Sequence, residues 1–247
     1  MSSHTERSTW KNLYRMGGVA PLITLALYVS EFFAIIVSGV AYPVTPAEWF
    51  ALFQRDKILG LLFLNAPDVL SIALLGIMFL ALVMALKRDN PSAMVIAAFV
   101  AFLGIALFVS TRADMVTAIL SLSEQYAAAT TDAQRAQLLA AGQAIHAPIR
   151  ATPETTGFFF IAVAGLIVSV VILRSDTFNK ITAYVGILGG LSTMANHASL
   201  LIAPSLAAIL MPVSGLLWLV WWVMMSVGLF KLGRDVPDAR NQSTIFS

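Results

Sequence analysis

The sequence contains no cysteine and few charged residues, and each shortage excludes a class of protein. Without cysteine the chain has no disulfide bond, thiolate metal site or cysteine nucleophile. Charged residues make up 11% of the 247 positions, whereas a soluble domain has about a quarter. The net charge of +2 leaves no basic patch for nucleic acid. We therefore expect most of the surface to face lipid and nucleic acid to be no partner.

Several catalytic and cofactor motifs are also missing. The sequence has no H-E-x-x-H, no P-loop and no Rossmann glycine pattern, and no lysine lies inside a predicted span to form a retinal-type Schiff base. Only His146 and His197 lie outside the N-terminal tail, and no spacing specifies a zinc site with nearby acids. We predict neither a metal nor a cofactor.

What the chain does contain is long apolar runs, since 59% of its residues are hydrophobic. A spanning helix needs about 20 apolar residues, and the runs are continuous rather than alternating, which favours helices over a barrel. The sequence predicts an all-α polytopic membrane protein with a six-helix transmembrane bundle. We read the first run as a retained helix, because it is longer than a signal-peptide core. The predicted spans are residues 17–42, 67–86, 92–111, 154–173, 181–203 and 205–230.

Proline and a capping residue interrupt the second apolar run. The run Asn65-Ala-Pro-Asp68 fits the first turn of a helix, so we expect residues 58–65 at the membrane interface and the span to begin at residue 67. The preceding segment, residues 46–57, alternates apolar and polar side chains with helical spacing. It predicts an interfacial helix with Trp49 at headgroup level.

The polar interval of residues 112–153 predicts an extramembrane helical hairpin between helices 3 and 4. Apolar spacing extends the third helix to about Ala129, and Thr131 with Gln134 forms a capping box for a second helix ending near Ala147. Pro148 and Pro153 are expected to bracket a non-helical bridge.

Lysine and arginine counts set the expected orientation. With both termini in the cytoplasm, the inner segments hold ten of the 15 basic residues. This places residues 1–16 and 231–247 in the cytoplasm as tails of a transmembrane domain of residues 17–230, and the insert of residues 112–153 outside it. The expected location is the inner, or plasma, membrane.

Ionisable groups inside spans are functional candidates by default, because they are costly in lipid. Glu31 lies near the centre of the first span, and His197 with Asn196 lies in the outer half of the fifth. Glu31 and His197 are the best candidates for one site. The alternative for each is a structural group that hydrogen-bonds a neighbouring helix.

Further candidates lie at the predicted outer ends of the spans. Asp68 is either a site acid or a helix cap, Arg112 and Asp114 either line a cavity or pair with each other, and Trp218 either lines a pocket or packs between helices. The candidate ligand-binding residues are Glu31, Asp68, Arg112, Asp114, Glu154, Asn196, His197 and Trp218. None of the inner halves has an equivalent set, which favours a polar cavity open to the outside and covered by the insert.

Three stretches resemble a known family. They are Tyr14-Arg-Met-Gly-Gly, the run from Ser121 to Gln143 (SLSEQYAAATTDAQRAQLLAAGQ), and the passage from Leu173 to Ile187. Together they resemble small prokaryotic multi-pass membrane proteins that share a domain of unknown function, over residues 10–234. The resemblance implies a prokaryotic inner membrane and about six spans. It implies no activity and no site residue.

Three functions remain open at this point. The first is a non-catalytic protein that binds or transports a small or lipid-like ligand in the outward-facing cavity. The second is an intramembrane lipid hydrolase or transferase, with His197 or His146 and the acids in catalysis. The third is a structural or accessory subunit with a membrane-protein partner or a second copy of itself. The lipid bilayer is the partner common to all three.

Overall fold

The computed structural model describes residues 9–149 and 153–234, without the side chains of residues 146–149, 153–155 and 201. Regular structure in this part of the chain is entirely helical, which agrees with the predicted fold class. The helices are α1 (Lys11–Ser38), α2 (Pro46–Arg55), α3 (Lys57–Phe63), α4 (Asp68–Leu86), α5 (Pro91–Ala128), α6 (Asp132–Ile149), α7 (Pro153–Arg174), α8 (Lys180–Ile202) and α9 (Pro204–Arg234).

Among the described residues, five helices are long and apolar enough to cross a membrane: α1, α4, α5, α7 and α9. The predicted fifth span corresponds to α8, which has 23 residues but is not among these five. Asn196, His197 and several small polar residues lower its apolar content. Its length would suffice for a span, so the sixth span stays a prediction.

Side-chain caps explain where the short helices begin. Thr45 and Glu48 form a capping box at the start of α2, and the Asp56 carboxylate accepts the Leu59 amide at the start of α3. The Thr131–Gln134 box predicted for α6 is present, with the Gln134 amide 3.2 Å from Thr131 Oγ1. These caps satisfy amides that helix geometry leaves without partners.

The insert contains two helices, as its spacing predicts. α5 continues to Ala128 and α6 begins at Asp132. The predicted non-helical bridge differs at its start, because α6 continues through Pro148 to Ile149. Residues 150–152 of that bridge lie outside the described residues.

The chain forms two compact units, and four helices contribute residues to both. Unit 1 consists of the described residues of Met1–Ile23, Leu74–Gly104 and Phe159–Ser247. Unit 2 consists of Thr24–Ala73 and Ile105–Phe158, including the insert.

The core of unit 2 is an aromatic cluster around α2 and α3. Trp49, Phe50 and Phe53 are almost completely buried there, together with Phe63 and Ile119. The depth of α2 in the membrane stays a prediction, but Trp49 does not face lipid headgroups, because its side chain is 1% exposed. Its apolar area is buried inside the protein instead, since the extended part of α5 packs over α2.

Unit 1 is held together by close helix contacts at glycines. A methyl group at Gly186 of α8 would collide with Ser169 of α7 and Trp221 of α9, and one at Gly165 would collide with Trp218. Glycine allows helix backbones to approach this closely, which is the usual source of packing between apolar helices in lipid.

Candidate functional site

Three buried charged side chains interact electrostatically in unit 2. Glu31 comes from α1, Asp68 from the first turn of α4 and Arg112 from α5. Their exposed fractions are 4%, 6% and 5%, respectively. We call these three residues the acid–arginine cluster. All three were predicted as site residues, and the structure brings them together.

The break between α3 and α4 positions this cluster. α3 ends at Phe63, Asn65 adopts a left-handed backbone with φ of 53°, and α4 then begins at Asp68. Asparagine tolerates this conformation better than most residues. Asp68 therefore lies at the positive end of the α4 dipole, as the proline-containing run predicts.

Arg112 bonds directly to the interrupted backbone. Its Nη1 donates to the carbonyl oxygen of Leu64, the C-cap residue of α3, at 2.8 Å. A cation at the end of a helix also interacts favourably with the helix dipole. The Arg112 guanidinium further lies 5.3 Å from the centre of the Phe108 ring. The arginine is thus anchored on three sides, by a carbonyl, a ring and the carboxylates.

Two further polar side chains belong to the same neighbourhood. The Asn65 side chain hydrogen-bonds the Glu31 carboxyl, and the Tyr28 phenol interacts electrostatically with all three members of the cluster. Tyr28 precedes Glu31 by three positions, so the two side chains lie on one face of α1.

The carboxylates are incompletely satisfied. Glu31 Oε1 and Asp68 Oδ1 are buried, and neither has a hydrogen-bond partner among the described residues. Such a buried acceptor costs about 1–3 kcal/mol, and more when it is charged. Two carboxylates also face one guanidinium, which leaves one negative charge uncompensated when all three are ionised. The cluster can therefore accept a hydrogen-bond donor or one positive charge.

A different polar arrangement surrounds His197 in unit 1. His197 Nδ1 donates to the Thr193 carbonyl at 2.8 Å, one turn earlier in α8. Trp218 Nε1 of α9 donates to Thr193 Oγ1 at 2.9 Å, and the His197 ring packs edge-on against Phe159 of α7. Thr193 therefore joins two predicted site residues, His197 and Trp218. These contacts also explain both residues as packing between helices.

The remaining candidates lie outside these two arrangements or are not described. Asp114 is exposed, and two positions along a helix turn it away from Arg112, so the pairing considered for them does not occur. Asn196 Oδ1 is a buried acceptor with no partner in the described part of the chain. The side chain of Glu154 lies outside the described residues, as do those of His146 and Arg150.

Metal-binding groups do not gather in the described residues: no three His, Asp or Glu side chains there could hold an ion together. The cluster offers two carboxylates and one guanidinium. The guanidinium has no lone pair to donate to a metal and carries a positive charge.

Comparison with known families identifies the family of the chain. A family model described as a domain of unknown function, DUF4386, matches residues 19–226. The chain belongs to this family. No curated protein and no solved structure matches it. With its five apolar helices, this DUF4386 member is an integral membrane protein of unknown activity.

The family assignment confirms the predicted resemblance to a domain of unknown function. The matched DUF4386 region contains all eight predicted site residues, from Glu31 to Trp218. Because the family has no described activity, the roles of those residues rest on the geometry alone.

Three polar residues of the DUF4386 region were not predicted as site residues: Tyr28, Asn65 and Thr193. The spacing of three between Tyr28 and Glu31 is the signal for the first. Thr193 has a similar signal, since it precedes His197 by four positions. Asn65 was identified as part of the helix break, but nothing in the sequence indicates that its side chain contacts α1.

Proposed function

We propose that this DUF4386 protein binds a small ligand with a positively charged or hydrogen-bond-donating head, and that Glu31 and Asp68 receive that head. The observation that carries the proposal is the pair of buried carboxylate oxygens without partners, Glu31 Oε1 and Asp68 Oδ1. Transport of the ligand across the membrane, through a polar cavity open to the outside, is the activity that such a site would serve.

The charge balance supports a cationic ligand. With both carboxylates ionised, the acid–arginine cluster has one excess negative charge, and one bound cation would neutralise it. An uncompensated charge in the bilayer is expensive, so the ligand would stabilise the folded protein. Arg112 would fix the carboxylates rather than touch the ligand, because the guanidinium is itself a cation and has no acceptor for a hydrogen-bond-donating head.

The proposed membrane and orientation rest on the sequence. The protein would lie in a prokaryotic inner membrane with both termini in the cytoplasm and the insert of residues 112–153 outside. The sequence also predicts His197 and Asn196 as ligand-binding residues. That they bind the same ligand as Glu31 and Asp68 is a separate prediction. Glu31 belongs to unit 2 and His197 to unit 1.

A structural role for the cluster is the second candidate, and one contact favours it. The bond from Arg112 to the Leu64 carbonyl satisfies a backbone group at the break between α3 and α4. In this case the carboxylates would only compensate the guanidinium, and no ligand would be needed. The protein could then be an accessory subunit of a membrane complex.

Thermal unfolding of the purified protein in detergent separates the two candidates. The melting temperature is measured with sodium, potassium, ammonium, ethylammonium and choline chlorides at constant ionic strength, with N-methylglucamine as the reference cation. A ligand at 100 times its Kd stabilises by about 2.7 kcal/mol, which raises Tm by about 5–10 °C in a protein of this size. We expect one cation to do so, and Glu31→Gln and Asp68→Asn to abolish the shift.

The matched control is Asp114→Asn, which removes an exposed carboxylate from the same helix as Arg112. This variant should keep the full cation shift. If no cation raises Tm, or if Glu31→Gln keeps the wild-type shift, the binding proposal is wrong and the structural candidate is favoured.

A further inference from the structure

Unit 1 contains a further candidate binding site, at the ends of two helices. A cleft of about 380 Å³ opens between the start of α5 and the end of α7. Its lining includes Asp89, Asn90 and Ala93 on one side and Ile167, Val170 and Arg174 on the other. The volume falls within the range of small-molecule sites, about 300–1,000 Å³.

Polar and apolar groups are separated within this cleft. Asp89, Asn90 and Arg174 are exposed, whereas Ala93 and Ile167 are half-buried. The apolar residues lie on helices that are apolar enough to cross a membrane, α5 and α7, and the charged residues lie at the ends of those helices. The cleft therefore has an apolar floor and a charged mouth. This arrangement fits an amphiphile better than a water-soluble ligand.

The two charged side chains at the mouth are available to a ligand. Neither the Asp89 carboxylate nor the Arg174 guanidinium has a hydrogen bond or an ion pair to another described residue. Asn90 is already occupied, since its Oδ1 accepts the Ala93 amide at 3.0 Å as the cap of α5. One carboxylate and one guanidinium therefore remain, with opposite charges on opposite walls.

A nearby aromatic residue indicates the level of the mouth in the membrane. The Lys87 ammonium lies 5.6 Å from the centre of the Trp10 ring, next to the loop that carries Asp89. Tryptophan and lysine at the end of a span are typical of the headgroup region. The mouth is thus expected at the height of lipid headgroups, with the floor at the height of the acyl chains.

We propose that this cleft binds one zwitterionic phospholipid with a primary ammonium, that is, a phosphatidylethanolamine. Its ammonium would donate to the Asp89 carboxylate and its phosphate would accept from Arg174. The first carbons of an acyl chain would lie along Ile167 and Val170. The glycerol head of a phosphatidylglycerol has no positive charge to pair with Asp89, and a phosphatidylcholine has no N–H to donate to it.

Native mass spectrometry of the detergent-solubilised protein tests this site. The protein is titrated with phosphatidylethanolamine, phosphatidylcholine and phosphatidylglycerol of identical acyl chains. We expect the ethanolamine lipid to bind at least tenfold more tightly than the other two, since a charge-assisted hydrogen bond contributes about that factor. Asp89→Asn should remove this preference, and Arg174→Gln should weaken binding of all three lipids.

Blocking the floor provides a test independent of charge. Ala93→Trp would fill the cleft and should abolish phosphatidylethanolamine binding. The matched control is Val95→Trp, because Val95 is on the same helix but 65% exposed and is not part of the lining. Asp176→Asn is the control for Asp89→Asn, since Asp176 is an exposed acid that faces Lys180.

Equal binding of the three lipids by the wild type would overturn the proposal, as would an unchanged ethanolamine preference in Asp89→Asn. Full binding by a folded Ala93→Trp variant would also overturn it. If Ala93→Trp does not fold, the exposed residue Asp89 still decides the matter, because its substitution removes no packing. Glu31→Gln should leave lipid binding unchanged, so this site and the acid–arginine cluster can fail separately.

Discussion

The two compact units differ in how far apart along the chain their polar partners lie. In unit 1 the hydroxyls of Thr193, Ser169 and Ser226 donate to carbonyls four residues earlier in their own helices. Unit 2 has such local bonds as well, for example from Thr117 to the Ala113 carbonyl. It also has polar bonds between distant parts of the chain, such as Arg112 to Leu64 and Thr24 to Ser71, and its buried ionisable side chains come together.

The difference follows from how the helices of each unit are interrupted and packed. Unit 1 has glycines at Gly165 and Gly186 that let its helices approach, so its packing does not depend on long-range polar bonds. Unit 2 contains the helix break between α3 and α4. The backbone groups at such a break in a membrane need hydrogen-bond partners from elsewhere in the protein. The Arg112 guanidinium is such a partner. Its buried positive charge in turn needs carboxylates, and Glu31 and Asp68 together carry one more negative charge than it compensates. The excess makes unit 2 the better place for a ligand.

The largest effect is expected for Arg112→Met in unit 2. It would leave two buried carboxylates without a cation and the Leu64 carbonyl without its donor. Breaking a buried ion pair costs about 3–5 kcal/mol, and the free energy of unfolding in mixed micelles should fall by that amount. Arg135→Met, at an exposed position near Asp132, should change it by less than about 0.5 kcal/mol.

Neutralising the acids as well shows whether charge is the cause. The triple variant Arg112→Met, Glu31→Gln and Asp68→Asn should recover part of the loss, because no uncompensated carboxylate remains. A triple variant as unstable as Arg112→Met alone would mean that the arginine acts by packing and by its backbone bond. The comparison between the units would then lose its electrostatic basis.

The next effect is expected in unit 1, where close approach replaces charge. Gly186→Ala places a methyl group against Ser169 and Trp221, and we expect a loss of about 1–3 kcal/mol from overpacking. Gly215→Ala is the matched control, because a methyl group there meets nothing within 4 Å. The control should be neutral or stabilising by up to about 1 kcal/mol, since alanine favours a helix. Equal effects of the two substitutions would contradict the close-packing account.

A smaller effect is expected for Trp218→Phe, which removes the donor to Thr193 Oγ1 but keeps a large ring. Thr193 still has its own bond to the Gly189 carbonyl, so the loss should be about 0.5–1 kcal/mol. A double-mutant cycle with Thr193→Val measures the coupling of the two side chains. A coupling near zero would mean that this bond contributes nothing, and Trp218 would become available again as a pocket residue.

The smallest effect concerns Glu48, outside the spans of unit 2. Its carboxylate accepts the backbone amides of Val44 and Thr45, at 2.6 and 3.0 Å, and these bonds lower the pKa of Glu48 in the folded protein. Stability from a lowered pKa is complete above the unfolded pKa, about 4.3 for glutamate, and is lost as pH falls through the folded value. The stability difference between wild type and Glu48→Gln should therefore shrink below about pH 4.3. A difference unchanged between neutral and acidic pH would contradict the assignment.

Local features of the fold could be predicted because local chemistry determines them. Proline with asparagine predicts the break before Asp68, and threonine followed three residues later by glutamine predicts the start of α6. The continuation of α5 to Ala128 followed from the apolar spacing on one helix face. In each case the signal and the structure lie within a few turns of each other.

Contacts between distant segments could not be predicted in the same way. An apolar helix looks the same towards lipid as towards protein, so the burial of Trp49 against α5 leaves no trace in its own segment. The bond from Arg112 to Leu64 joins residues 48 positions apart, and no spacing rule reaches that far. The pairing of Glu31 with His197 was inferred from expected depth alone, and it stays a prediction.

The Arg112–Leu64 bond also has a consequence for how the protein is made. The Leu64 carbonyl is synthesised 48 residues before the guanidinium that it binds. At about 5–20 residues per second, translation of that interval takes about 2–10 s. During this time the Leu64 carbonyl lacks the donor that it has in the folded protein, so the cluster can form only after α5 has been made. The site is thus completed late, by a residue made seconds after the backbone group that it binds.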